Sequence, residues 1–225
     1  MYSYTIVFSE TNKNFVNLGS LYQCGHDNTG WASIMHWFGN KTLISSNNTK
    51  TRCQKSAGYE LKFYPVNINF CCFISNDNHE SDPNCMFHQQ TPDSFVKKSI
   101  FKNNTANILK GGFIGLITSG YQSNVTISEC IFSQNKAIYT FYAKDGGALI
   151  VINCFGDKLT ASGSDTYVLH TNQMKTESFN ITLSYLSLGE CNAENPLSFD
   201  QSVCVKKKKV CTEKLKWRKN YRRRG

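Results

Sequence analysis

The sequence is short of proline, with four in 225 residues, and short of charge, with charged side chains at 18%. Long helices draw on Glu, Lys, Ala and Leu. Sparse charge beside 23 Asn, 22 Ser and 17 Thr therefore argues against a helical bundle and for turns and short strands. No run approaches the ~18 consecutive apolar residues of a membrane-spanning helix. The longest, Gly111–Thr118 and Gly146–Val151, have the length of strands. Met1-Tyr-Ser-Tyr-Thr-Ile-Val-Phe-Ser-Glu lacks the basic start and apolar stretch of a secretory leader. None of the ten cysteines stands in C-x-x-C spacing, which removes the commonest zinc and redox motifs. They read equally as disulfide partners in an oxidising compartment or as small buried hydrophobes.

The formal charge of +9 is unevenly placed. Residues 205–225 hold eleven Lys or Arg against Glu213, a net +10, so residues 1–204 sum to −1. A basic pI is therefore no argument that the body binds nucleic acid. The expected domains are a body, 1–204, and a disordered basic tail, 205–225. Lys206–Lys209 and Arg222–Arg224, interleaved with Trp217 and Tyr221, suit contact with an anionic membrane or a nucleic acid, beside the plainer reading of a passive tail.

What is present is repetition. Phe-x-x-Asn occurs at Phe73–Asn76, Phe101–Asn104 and Phe132–Asn135, spaced by 28 and 31 residues. Cys154-Phe155 opens a variant 23 residues further on, and Asn48 lies 28 before Asn76 in a version without its aromatic. Gly111-Gly112 and Gly146-Gly147 each open an apolar run. Irregular rungs of 23–31 residues, each with about three short strands, predict an all-β chain folded as a right-handed parallel β-helix, best defined over 68–155. The Phe column would stack inside, and the Asn column would form an amide ladder at a corner. The glycine pairs would mark positive φ or close approach. Ile68–Phe73, Phe113–Thr118, Val125–Phe132 and Ala148–Phe155 read as single strands, Asn76–Pro92 as a protruding loop, and Gly156–Asp165 as a similar excursion.

Phe132-Ser-Gln-Asn-Lys-Ala followed by Gly146-Gly-Ala-Leu-Ile-Val resembles the paired F-x-x-N and G-G-A-I repeats of chlamydial polymorphic outer-membrane proteins. Similar repeats occur in the right-handed β-helix surface-protein families of trichomonad parasites. The Asn-rich, Cys-containing rungs and Thr29-Gly-Trp-Ala-Ser-Ile-Met-His resemble the latter more closely. The resemblance is good over 70–155, looser over 1–190 and absent from the tail. It implies a secreted or surface-anchored protein with adhesion as its role and a host protein or glycan as partner. It also implies a leader and a membrane anchor that this sequence does not display, as a fragment would not.

Candidate chemistry is thin. Cys24-x-His26 and Cys85-x-x-His88 have metal-like distances without a second half, so no metal, cofactor or catalytic residue is assigned. Asp77, Glu80 and Asp82 cluster, while Asp145, Asp157 and Asp165 stand singly. A carbohydrate-active enzyme on the same scaffold is the alternative function, and it would need paired acids on one face. No small-molecule substrate is indicated. Trp31, His36, Trp37, Tyr121, Tyr139 and Tyr142 are the candidates for an exposed ligand platform. Asn40, Asn47, Asn103, Asn124 and Asn180 head N-glycosylation sequons, roughly the number this composition gives by chance.

Overall fold

The computed structural model describes residues 3–8, 13–17, 19–22, 30–53, 56–78, 84–106, 112–157, 159–164 and 167–170. The chain divides into Met1–Ala193 and Glu194–Gly225, and every described residue belongs to the first. The basic tail, Asn180 and Gly111 lie outside the described residues.

All the regular structure described is β. A first turn consists of β1 (Ser3–Phe8), β2 (Lys13–Asn17) and β3 (Ser20–Tyr22). Four complete turns follow. They are β4 (Gly30–His36), β5 (Asn40–Ile44), β6 (Asn47–Thr49) and β7 (Arg52–Cys53); β8 (Ser56–Lys62), β9 (Val66–Asn69), β10 (Cys72–Ile74) and β11 (Asp77–Asn78); β12 (Asn84–Gln89), β13 (Ser94–Lys97), β14 (Ile100–Lys102) and β15 (Thr105–Ala106); β16 (Gly115–Gly120), β17 (Asn124–Ser128), β18 (Ile131–Ser133) and β19 (Lys136–Ala137). Then come β20 (Tyr139–Lys144), β21 (Ala148–Ile152), β22 (Phe155–Gly156), β23 (Ala161–Ser164) and β24 (Tyr167–His170). Each strand pairs in parallel with its counterpart one turn away. The first sheet is β1-β4-β8-β12-β16-β20-β23, the second β2-β5-β9-β13-β17-β21-β24, the third β22-β18-β14-β10-β6-β3 and the fourth β19-β15-β11-β7. The chain is a parallel β-helix with four strands per complete turn, one more than its sequence pattern predicts.

The core is built from columns. In the second sheet Leu43, Ile68, Val96, Ile127 and Val151 lie in register and fully buried. In the first, Ile34, Tyr59, Met86, Ile117 and Phe141 do the same. The Phe column is as expected in its centre: Phe73 and Phe101 stack at 4.8 Å and 3°, and Phe101 and Phe132 at 5.0 Å and 7°. Tyr59 and Phe141 close its ends edge-on, at 4.9 and 5.1 Å. Phe155 does not belong to it. Gly156 pairs with Phe132, while Phe155 pairs with Ile131 and is 45% exposed. The register is kept, so Gly156 takes the Phe place, and Phe141 closes over Phe132 instead. Asn48 stands at the Phe position one turn before Phe73, not at the Asn position.

The corners explain why the strands were misread. The second-to-third and third-to-fourth corners take two residues in every complete turn. The first of the two is left-handed: Ser45, Phe70, Lys98 and Glu129 at one corner, Lys50, Ser75, Asn103 and Gln134 at the other. Asn153 continues the first series in β21–β22. Phe70, Glu129 and Asn153 therefore break Ile68–Phe73, Val125–Phe132 and Ala148–Phe155 into two strands each. A left-handed non-glycine residue is uncommon, so no glycine or proline signalled the breaks. Asn76–Pro92 is no loop, since it holds β11 and β12, and β23 lies within Gly156–Asp165.

The second corner residue carries the ladder. Asn104 Oδ1 accepts from the Asn76 backbone N–H at 3.1 Å, and its Nδ2 donates to the Phe73 carbonyl at 2.8 Å. Asn135 does the same for Asn104 and Phe101, at 3.0 and 2.8 Å, and Asn76 for Thr51 and Asn48, at 3.0 and 2.9 Å. Each amide thus satisfies two buried backbone groups of the turn before it.

The glycine pairs are not equivalent. Gly146-Gly147 forms a first-to-second corner, with Gly146 at φ +76° and a side chain at Gly147 blocked by the Ser119 carbonyl. Gly112 instead precedes a first-sheet strand, β16. The repeat in spelling falls on different places in the turn, because 107–114 lengthens one connection that Ile138 alone makes in the next turn. Among the described residues no helix is long and apolar enough to cross a membrane. The described cysteines, Cys53, Cys71, Cys72, Cys85, Cys130 and Cys154, are all buried.

Candidate binding edge at the first corner

Aromatic side chains collect where the first sheet turns into the second. His36 pairs with Leu61, so Phe38 and Phe63 stand at the same place in their turns, two residues further on. Lys62, Gln89, Gly120 and Lys144 end the paired positions of their strands. Phe63, Gln90, Tyr121 and Asp145 follow them with positive φ, which throws their side chains outward. Phe38, Phe63 and Tyr121 are 40%, 44% and 40% exposed. Trp37 and Tyr64 flank them, also exposed, and the Phe38 and Tyr64 rings lie 6.4 Å apart. Equivalent points on successive turns are about 4.8 Å apart. The edge is therefore a row of apolar faces at rung spacing, among the exposed carboxamides of Asn40, Asn67 and Gln90.

Cations hold the rings from behind. Lys62 Nζ bonds Glu60 at 2.9 Å and lies 5.6 Å from the Trp37 ring centre. Lys41 is buried inside the corner, donates to the Lys62 carbonyl at 2.8 Å and lies 5.4 Å from the Tyr64 ring. Burial lowers its amine to about 8. His36 and His88 face the same interior, and burial, aided by the charge of Lys41, lowers both to about 3. His88 Nδ1 lies 3.2 Å from the Thr91 hydroxyl. Both imidazoles are thus neutral at ordinary pH.

The platform expected from the sequence is recovered at two of its six residues. Trp37 and Tyr121 belong to the edge. His36 is inside, and Tyr139 and Tyr142 are half-buried on the first sheet, stacked at 5.9 Å. The Trp31 side chain is outside the described residues. Phe38, Phe63 and Tyr64 were missed, although each aromatic doublet is followed by a turn residue, Gly39 or Pro65. Of the sequons, Asn40, Asn103 and Asn124 are exposed, whereas Asn47 is 5% exposed in β6 and closed to modification in the folded chain. Asp77 faces Arg52 at 3.5 Å, and Asp157 accepts from the Gln134 N–H. Cys85 and His88 are both buried, and no group of three or more His, Cys, Asp or Glu among the described residues could hold a metal.

Family models, curated proteins and solved structures were compared with the chain. None matches.

Proposed function

We propose that the protein is a non-enzymatic binding protein, secreted or displayed at a cell surface, that holds a host protein or glycan against its first corner. The exposed row of Trp37, Phe38, Phe63, Tyr64 and Tyr121 carries this reading. Large aromatics left in water along one edge, instead of in the core, are typical of contact surfaces. The likeness of the F-x-x-N rungs to surface-protein repeats supports the same role.

The test is binding of the full chain to glycan and matrix-protein arrays, repeated with Phe63→Ser and Tyr121→Ser. Both side chains are largely outside the core, so folding should persist. A tenfold or greater loss of affinity is expected. Unchanged binding would remove the edge as the site, and release of reducing ends from a bound glycan would overturn the non-enzymatic reading.

A further inference from the structure

The first corner has an order along its length. Pairing of the strands before it places Phe38, Phe63, Gln90, Tyr121 and Asp145 in one line parallel to the helix axis. Backbone bonds carry the register into the corner: Phe63 N–H donates to Gln89 O at 3.0 Å and Gln90 N–H to Gly120 O at 3.3 Å. Gln90 is exposed, so a carboxamide stands between the Phe63 and Tyr121 rings. Two turns separate those rings, about 10 Å, which is about the length of a disaccharide. Phe38 extends the row by one more turn. Gln122, beside Tyr121, offers a second exposed carboxamide.

The rings are braced and the cations near them are engaged. Tyr121 rests on Phe113 at 5.3 Å and Phe113 on Phe87 at 4.8 Å, with Lys144 Nζ 5.5 Å from the Phe113 ring. Lys62 and Lys41 likewise back the Trp37 and Tyr64 rings. Little ordering is therefore left to be done when a ligand arrives. The charged groups exposed beside Gln90 and Tyr121 are acidic, Asp93 and Asp145. These carboxylates oppose sulfated or sialylated chains. A protein partner would call for a broad apolar centre inside a polar rim. Here rings and carboxamides share a narrow line. A neutral sugar chain matches both, with C–H faces for the rings and hydroxyls that donate to and accept from an amide.

The geometry points to a neutral, extended β-linked polysaccharide as the ligand, laid along the helix axis with sugars on Phe63 and Tyr121 and the sugar between them bonded to Gln90. This rests on the first corner being the binding site. The row is straight, so it selects a straight chain over the coils that α-linked glucans form. In a two-fold β-1,4-linked chain every second sugar turns the same face to one side. Rings two turns apart therefore meet equivalent faces, and the intervening sugar turns its hydroxyls toward the amide. The next sugar along reaches Phe38.

Calorimetric titration of the full chain would use cello- and chito-oligosaccharides, from the disaccharide to the hexasaccharide, beside heparin and gelatin. Affinity for one neutral series is expected to climb until the chain covers Phe38 to Tyr121, about the tetrasaccharide at rung spacing, and then to level off. Gln90→Gly suits the left-handed backbone there, at φ +54°, so it should fold and weaken binding about five- to tenfold. Phe63→Ser and Tyr121→Ser should each weaken it tenfold or more. Phe155→Ser, which removes an exposed ring on the third sheet, should change nothing. Silence of both neutral series, or full affinity in Gln90→Gly, overturns the assignment. Preference for heparin or gelatin, lost in Phe63→Ser and Tyr121→Ser, also overturns it while keeping the first corner as the site. Neutral-sugar binding that those two variants leave intact removes the corner itself.

Discussion

Asn104 shows how one side chain can close two turns. Its oxygen takes a backbone proton and its nitrogen gives one, both within a dry corner. Asn104→Ala leaves a buried N–H and a buried carbonyl without that partner, so it should lower stability by about 3 kcal/mol in urea denaturation. Asn135→Ala should do less, because that residue is only half-buried. The same corners suggest the opposite change. Ser75 sits at φ +55°, where glycine avoids the steric penalty, so Ser75→Gly should hold or raise stability by up to ~1 kcal/mol. The buried imidazoles set an acid limit. His36 and His88 titrate at about 3 in the fold, against 6.5 ordinarily. The unfolded chain binds their protons first. Stability is therefore full above pH ~6.5 and falls toward pH 3 by about 1.4 kcal/mol per unit for each histidine. His88→Leu, matching Leu61 in the same column, should roughly halve that slope in denaturation midpoints taken at successive pH values. Lys41 acts in the alkaline range: stability rises as pH climbs from about 8 to 10.5, where the folded chain gives up the proton first.

At the scale of elements, the stacked ring trio is the most cohesive part of the core. Phe101 has a parallel ring on each side, so Phe101→Ala should cost about 3–5 kcal/mol by denaturation. The trio could be read from the sequence because a parallel stack places like on like, and Phe-x-x-Asn repeats wherever it does. The strand boundaries could not. Their corners rest on left-handed Phe70 and Glu129, residue types that normally continue a strand or a helix. Nor could Phe155 be placed, because it follows its corner cysteine by one residue where Phe132 follows by two, and one position along a strand takes a side chain out of the stacked column. The binding edge was only partly visible for a related reason: an aromatic doublet looks the same in sequence whether it turns inward or out.

For the helix as a whole, the four complete turns have a paired turn on both sides, whereas the described end strands β3 and β22 are paired on one side only. Stability in such a stack is a sum over neighbours. Amide hydrogen exchange should therefore be slowest in β9, β10, β13 and β14 and faster toward β3 and β22. Uniform protection from end to end would show a single cooperative unit instead.

The connections returning from the fourth sheet to the first run to two, five, eight and one residues in the complete turns, while the corners flanking the third sheet never depart from two. One side of the molecule therefore works as an expansion joint. Chain added there is taken up before the next rung begins its count, and chain added at Glu129-Cys130 would put every later column out of step. A short guest peptide spliced beside Ile138 should leave the fold intact, and the same peptide after Glu129 should abolish it. New sequence can be gained or lost along that single seam, turn by turn, while the three faces beyond it keep their order.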